Sequence, residues 1–405
     1  MRTRANRTPN QREQHAAAST GQAQTAGIPG SAAPALAAFR RATRRKRLVI
    51  GALAALLIAL VVASACIGAS SVGPSQVSQA IAHALGLAGS ASTPTGDASS
   101  RLGAASAAAS PGADIRGLMS IVFDVRLPRV ICAVLAGGAL ALAGLLMQGV
   151  FRNPLVSPYT LGVSDGASFG ASIAIVCASQ LAARGLDLGR WLTPLFAFIM
   201  ALAAMGLVYA ISRVVRESTA VLVLSGVAVG YLFSAGVSTL KYLADDASLP
   251  ELVFWRMGNL MGLRWDVAAI IAVVLAVSIV LAMRRAWDLN ALVLGREEAS
   301  ALGVNYRRTQ TMTFVLATVL TAAAVSFTGI IGFVGLVAPH IARILVGNDH
   351  RYSIPAAVLF GAVLMLAADT LARTLFAPTE LPVGIVTSFV GVPFFLYLII
   401  RRRRI

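Results

Sequence analysis

The sequence is 405 residues long, 57% hydrophobic and only 13% charged, with a mean hydropathy of +0.77. A soluble domain carries about 45–50% apolar and about 25% charged residues, so a water-soluble globular enzyme is excluded. The formal charge of +17 and pI near 11.2 would point to nucleic acid in a soluble chain. Here the arginines flank apolar runs, a pattern that sets membrane topology and argues against a nucleic-acid partner.

Residues 1–47 are polar, Ala/Ser/Thr/Gln-rich and basic, and end in the cluster Arg40, Arg41, Arg44, Arg45, Lys46 and Arg47. Such a segment cannot bury enough apolar surface to fold alone and is predicted to be a disordered tail. The first apolar run, 48–69, contains Ser64-Ala65-Cys66, which is similar to a lipoprotein cleavage site. The long preceding tail and the length of the run favour a retained membrane helix. Residues 88–113 are Ala/Ser/Gly/Pro-rich without periodicity and read as a flexible, water-exposed insertion.

Nine further runs are long enough to span a hydrocarbon core about 30 Å thick. They cover residues 127–150, 161–181, 191–212, 220–240, 267–283, 309–327, 329–346, 354–376 and 383–400. Residues 48–405 are thus predicted to be an all-α polytopic membrane domain of ten transmembrane helices, with both termini on one side. Placing the termini in the cytoplasm puts 24 of the 34 Lys+Arg inside, as the positive-inside rule requires. Gly166/Gly170, Gly226/Gly230 and Ala139/Ala143 have the spacing that lets membrane helices approach closely, within one bundle or between subunits. Pro154, Pro158, Pro339 and Pro393 interrupt or border the runs, and broken helices of this kind suit a transporter.

No Gly-x-x-x-x-Gly-Lys-Ser/Thr stretch occurs, and Lys46 and Lys241 are the only lysines, so the chain is not itself a P-loop ATPase. Cys66, Cys132 and Cys177 lie in apolar runs without CxxC spacing, and the four histidines have no short ligand spacing, so no metal site or cofactor is expected. Ionisable groups in the runs are few. Asp165 lies near a span start, and Asp369 sits four residues before Arg373, where the two can pair on one helix face. With no convincing ion relay, the energy for transport must come from outside the chain. A proton-coupled carrier using Asp165 or Asp369, or a membrane enzyme using His340 with Asp349 or His350, remain the alternatives from other classes.

Several ordered blocks carry a resemblance. They are Arg126-Leu-Pro-Arg129, Gln148-Gly-Val-Phe-Arg-Asn-Pro-Leu155, Leu161-Gly-Val-Ser-Asp-Gly-Ala167, Phe254-Trp-Arg-Met-Gly258, Leu294-Gly-Arg-Glu-Glu298 running on to Val304, Gly332-Phe-Val-Gly-Leu336 leading to Pro339-His340, and Glu380-Leu-Pro-Val-Gly384. Together they resemble FecCD-type permease subunits of ABC importers for ferric siderophores, haem and cobalamin, over roughly the last two-thirds of the chain.

The resemblance implies a type II ABC importer architecture with ten helices and cytoplasmic termini in the bacterial inner membrane. It implies as partners a separate cytoplasmic ABC ATPase, which binds the ATP, an extracytoplasmic substrate-binding protein, and a second permease copy forming a homodimer in membrane lipid. Residues 285–308 would be the cytoplasmic coupling loop. Within it Glu297 to Leu302 can form a short helix bounded by Gly295 and Gly303; Leu294, Ala301, Leu302 and Val304 would supply its apolar contact and Arg296, Glu297 and Glu298 its rim charges. Arg126, Arg129 and Arg373 match positions that dock the binding protein, and Gly226, Gly230, Gly384 and Gly391 would lie at the pore seam between subunits. The implied cargo is an iron chelate, a ferric siderophore first, with haem, cobalamin or an oxyanion as alternatives. The chain itself is expected to perform no covalent chemistry.

Overall fold

The computed structural model describes residues 32–67, 119–182, 185, 189–215 and 219–402. Residues 1–31 of the predicted tail and the predicted insertion at 88–113 lie outside the described residues. Among the described residues every regular element is a helix. Helix α1 spans Ala32–Cys66, so the stretch 32–47, expected to be disordered, is helical where it is described. A compact body runs from Lys46 to Ile405.

In chain order the body continues with a π-turn, Ile121–Arg126, that flows into α2, Leu127–Val150. Pro128 lies just past the π-turn inside this continuous helix, and having no N–H to donate to the preceding turn it falls where the regular α-helical bonding is already interrupted. A short 3₁₀ turn, Pro158–Leu161, closes at Gly162 with φ +77° and leads into α3, Val163–Ala182. Then come α4 Leu192–Val214, α5 Thr219–Leu243, α6 Ser248–Met257 and α7 Trp265–Arg284. The short α8 Ala286–Leu294 and α9 Arg296–Ala301 precede α10 Tyr306–Thr328. The last three are α11 Val334–Val346, α12 His350–Thr374 and α13 Val383–Arg402.

Each of the ten apolar runs coincides with one of these helices, α9 falls where a short helix is expected between Gly295 and Gly303, and α6 and α8 occupy stretches read as loop. Seven of the described helices are long and apolar enough to cross a membrane: α1, α2 with its π-turn, α4, α5, α7, α10 and α12. The other three depart for visible reasons. Helix α3 carries Asp165, Gln180 and four serines, α11 has only 13 residues, and the side chains of α13 are described without a break only over Val383–Tyr397, where it is apolar. The joint between α10 and α11, which no charge marks in the sequence, is made by Gly329 at φ +68° followed by irregular backbone to Val334.

Helix α2 is the centre of the bundle, with almost its whole length buried. Glycine brings it there. Gly137 lies backbone to backbone against Gly361 of α12, and Gly144 against Gly335 of α11, with no room at either contact for a Cβ. Gly166 and Gly170 do the same for α3, meeting the carbonyls of Met200 and Phe196 on α4. In lipid the hydrophobic effect does not drive one apolar helix against another, so close van der Waals approach of this kind carries association. The small-residue spacings at these positions therefore pack helices within one chain.

Candidate coupling, docking and pathway sites

The predicted coupling loop is built by two glycines. Gly295 stops α8 at φ +137°, and a side chain there would strike the Glu298 carboxylate. Gly303, at φ +79° with open space around it, ends α9, and the Val304 N–H closes back on the Ala299 carbonyl at 2.9 Å. Glu297 and Glu298 occupy the first turn of α9, where negative charge complements the helix dipole. Leu294 is 58% and Leu302 64% exposed, with Val293 and Ala301 exposed beside them. Such side chains form an apolar tip rimmed by Arg296, Glu297 and Glu298, all exposed. Two corrections follow. Val304, expected at the tip, packs against the core instead, and Val293, not singled out from the sequence, takes its place.

The root of this element is fixed while its tip is free. Leu289 and Leu292 are buried, and Asn290 reaches across to the start of α12. Its Oδ1 accepts from the His350 backbone N–H at 2.9 Å and lies 2.7 Å from His350 Nδ1, while its Nδ2 donates to Asp349 at 3.0 Å. Asp349 caps α12 and accepts from the Arg351 side chain at 2.7 and 3.0 Å. These bonds from Arg351, with a smaller contribution from Asn290, hold its carboxyl well below the usual carboxylate range. The Arg351 guanidinium in turn stacks over Trp287 of α8 at 4.2 Å. Sequence reading missed this clamp because its parts, Trp287, Asn290 and Asp349 to Arg351, lie some 60 residues apart.

At the other end of α12 lie the three arginines expected to dock a binding protein. They do not stand at a rim. Arg129 is 7% and Arg373 3% exposed, and Arg126 is buried as well. Arg129 donates to Asp369 at 3.0 Å and to Glu380 at 2.6 Å. Arg373 pairs with Asp369 at 3.1 Å, as the four-residue spacing predicted, and donates to Ser64 Oγ at 2.6 Å. Arg126 donates to the Ala65 carbonyl at 3.2 Å. Asp369 has no exposure at all. A buried carboxylate demands paired cations and hydrogen-bond donors, and this demand draws the arginines inward. Glu380 is the partner that sequence reading did not pair.

The four glycines expected at the subunit seam also turn inward. Gly226 faces the backbone of Leu161, where a Cβ would come within 2.7 Å, and Gly230 faces the Asp165 carboxylate. Gly384 meets the carbonyls of Met257 and Ile330, and Gly391 meets Phe333. Their helices keep other side chains outward, among them Leu224, Tyr231 and Leu232 on α5 and Phe389, Leu396 and Tyr397 on α13. Between α6, the 329–333 joint and α13 opens a cleft of about 620 Å³, lined by Met257, Ile330, Phe389 and Val392, with Arg256 and Ser388 as its polar side chains. That volume lies within the range of ligand pockets.

The groups on which other classes of function would rest do not assemble. His340 packs against Phe394, whereas His350 belongs to the Asn290 clamp. Asp369 is committed to two arginines, and Asp165 lies on another helix against Gly230. Among the described residues no group of three or more His, Cys, Asp or Glu is placed to hold a metal, and the three cysteines are unpaired.

A membrane bundle that is helical throughout its described residues, with a protruding apolar tip and an apolar cleft, has the features of a transporter subunit. The FecCD transport family model matches residues 56–401. The chain is 43% identical over 283 residues to the hemin transport system permease protein HmuU of Yersinia pestis, covering 70% of this chain and 84% of that one. It is 43% identical over 281 residues to the cobalamin import system permease protein BtuC of Halobacterium salinarum, covering 69% and 73%. A solved structure described as an inward-facing conformation of a metal-chelate type ABC transporter superposes with a TM-score of 0.69 at 31% identity, covering 88% of this chain and 99% of that one. The chain belongs to the FecCD transport family. It is a multi-pass ABC importer permease, a transport subunit and not an enzyme, which works with a separate ATPase and a binding protein.

Proposed function

We propose that two copies of this chain form the pore of a bacterial inner-membrane importer that carries an iron chelate, a ferric siderophore first. The observation that carries this reading is the contrast within the α8–α9 element, whose root is clamped to α12 and whose apolar tip is left uncovered. A groove on an ATPase would cover Leu294 and Leu302, with the flanking charges setting register. An ATPase that, with nucleotide bound, prefers one permease conformation would shift the equilibrium between inward- and outward-open states by that preference. Both termini lie in the cytoplasm in this reading, α5 and α13 flank the seam, and outward apolar side chains elsewhere meet lipid. The chain holds no cofactor of its own.

The cleft bears on cargo. A small oxyanion calls for several converging donors, whereas this lining is apolar apart from Arg256 and Ser388, which suits passage of a bulky chelate over a broad surface. Haem and cobalamin are the nearest alternatives, the cargoes named for the two relatives above. A binding protein would dock on the face that holds Glu380, where its carboxylate would replace Glu380 on Arg129.

The test is ATP-dependent uptake into proteoliposomes containing this chain, its ATPase and its binding protein, offered a ferric siderophore, haem, cobalamin and molybdate in parallel. The expected result is uptake of the siderophore that requires ATP and disappears in the Glu297→Arg/Leu302→Asp variant. Uptake of another cargo would replace the siderophore assignment. Uptake that persists without the ATPase would overturn the importer reading and return Asp165 and Asp369 to consideration as proton carriers.

A further inference from the structure

Helices α4 and α10 leave a groove between them that the transport cycle described above does not use. Its volume is about 150 Å³, and Leu202, Gly206, Phe314, Val315 and Val319 form its apolar walls. Gly206 opens it, since a Cβ at that position would meet nothing within 4 Å. Gly206 and Val315 are exposed on the outside of the bundle, so the groove faces the membrane. An apolar protein cavity of roughly this size accepts a benzene-sized hydrocarbon.

One end of the groove is polar. Tyr209 Oη lies 2.8 Å from Thr311 Oγ1, and the exposed Arg213 donates to Tyr209 Oη at 3.0 Å while its guanidinium covers the tyrosine ring at 5.2 Å. A guanidinium carries five N–H donors, and this bond engages one of them. Three and four residues before Thr311, about one helical turn further out, the first turn of α10 carries Arg308 and Arg307, both exposed. Hydrocarbon walls that lead to a hydroxyl pair and then to guanidinium groups match an amphiphile with an anionic head.

We propose that this groove binds a phospholipid with an anionic headgroup, the upper segment of one acyl chain lying along Gly206 between α4 and α10 and the phosphate held at Arg213. Charge complementarity selects this occupant over a zwitterionic lipid: a lysine or arginine near an anionic membrane surface contributes about a fivefold preference. Bound there, the lipid bridges α4 to α10, the helix that the coupling element feeds. The leaflet follows from the proposed orientation, but binding itself does not, so the two stand or fall separately.

Native mass spectrometry of the delipidated permease offered equal phosphatidylglycerol and phosphatidylcholine tests the site. The wild-type chain should retain phosphatidylglycerol at least about fivefold over phosphatidylcholine. Arg213→Gln should remove most of that preference while keeping total lipid adducts, and Gly206→Leu should lower adducts of both lipids by filling the groove. Helical circular dichroism establishes that each variant is folded. Equal retention of the two lipids by the wild-type chain, or adducts unchanged in both variants, would overturn the site. A shift from dimer to monomer in Gly206→Leu without change in lipid adducts would instead assign the groove to a second copy.

Discussion

The two ends of α12 handle charge in opposite ways. At the N-terminal end, Asp349 and Arg351 satisfy each other near the surface and, with Asn290, pin the root of the proposed coupling element α8–α9, whose tip stays bare. At the C-terminal end, Arg126, Arg129 and Arg373 are drawn inside and consumed by Asp369, Glu380 and the end of α1. In the proposed importer the first end would receive its partner without rearrangement, because the tip is already exposed. The second is closed on itself, and a partner that uses those arginines must first break an internal pair. One long helix thus joins a surface ready for docking to a network that resists it.

The largest effect should come from opening the closed end. Asp369→Asn leaves Arg129 and Arg373 facing each other without their shared anion, and removing one partner of a buried ion pair costs about 3–5 kcal/mol. Thermal unfolding of the purified variant in detergent should show a loss on this scale, and a shift near zero would mean the network contributes nothing to the fold. Glu380→Gln is the informative contrast, because Glu380 is only partly buried and its direct ion pair is with Arg129. It should cost about 1.5–3 kcal/mol, the contribution of a hydrogen bond to a charged group. It should also raise affinity for the binding protein, measured by surface plasmon resonance, if a partner carboxylate competes for Arg129; unchanged affinity would remove that arginine from docking.

The prepared end should respond in the opposite sense, losing function while keeping stability. Leu302→Asp puts a charge on an exposed tip, so melting should be unchanged, whereas losing an interface hot spot costs about 2 kcal/mol or more of ATPase affinity, roughly thirtyfold. Copurification of the ATPase at native strength would refute the assignment of α8–α9 as the coupling element. Asn290→Ala attacks the root and should be smaller in binding, within about threefold, since the tip remains. Its signature should be ATP hydrolysis no longer matched by uptake, because the pinned link to His350 is gone. Preserved stoichiometry would show that the clamp only supports the fold.

Much of the fold was legible because lipid imposes long apolar runs, and each predicted run became a helix. The short helix α9 was legible too, since Gly295 and Gly303 bracket a short polar stretch. What sequence could not show is direction. Gly226, Gly230, Gly384 and Gly391 have the spacing of a helix interface, yet a spacing does not say whether the neighbour belongs to the same chain. Likewise, Arg129 beside an apolar run fits a rim until Asp369 and Glu380, about 240 and 250 residues away, are known to reach it. The i,i+4 pair Asp369–Arg373 was visible because it is local, and its closure by Arg129 was not.

The smallest effect sharpens how a carboxylate is held at each kind of site. Asp245, between α5 and α6, is exposed and accepts from Ser179 Oγ at 2.6 Å, from the Ser248 backbone N–H at 2.9 Å and from the Ser248 hydroxyl. These neutral donors, Ser179 first, bring its carboxyl down to about 2. Asp349 is lowered chiefly by a guanidinium instead. Because the folded value of Asp245 lies below an unfolded value of about 3.9, its contribution to stability is full above about pH 4 and is lost as pH falls toward 2. Ser179→Ala should move the titration of Asp245 up toward the ordinary range, followed by carboxyl ¹³C shifts of the labelled protein. Molar salt should leave Asp245 nearly unmoved while raising Asp349, since screening weakens a charged partner and not a hydroxyl. An Asp245 titration that ignores Ser179→Ala but follows salt would place its control in a distant charge, and the contrast between neutral and charged restraint would then fail.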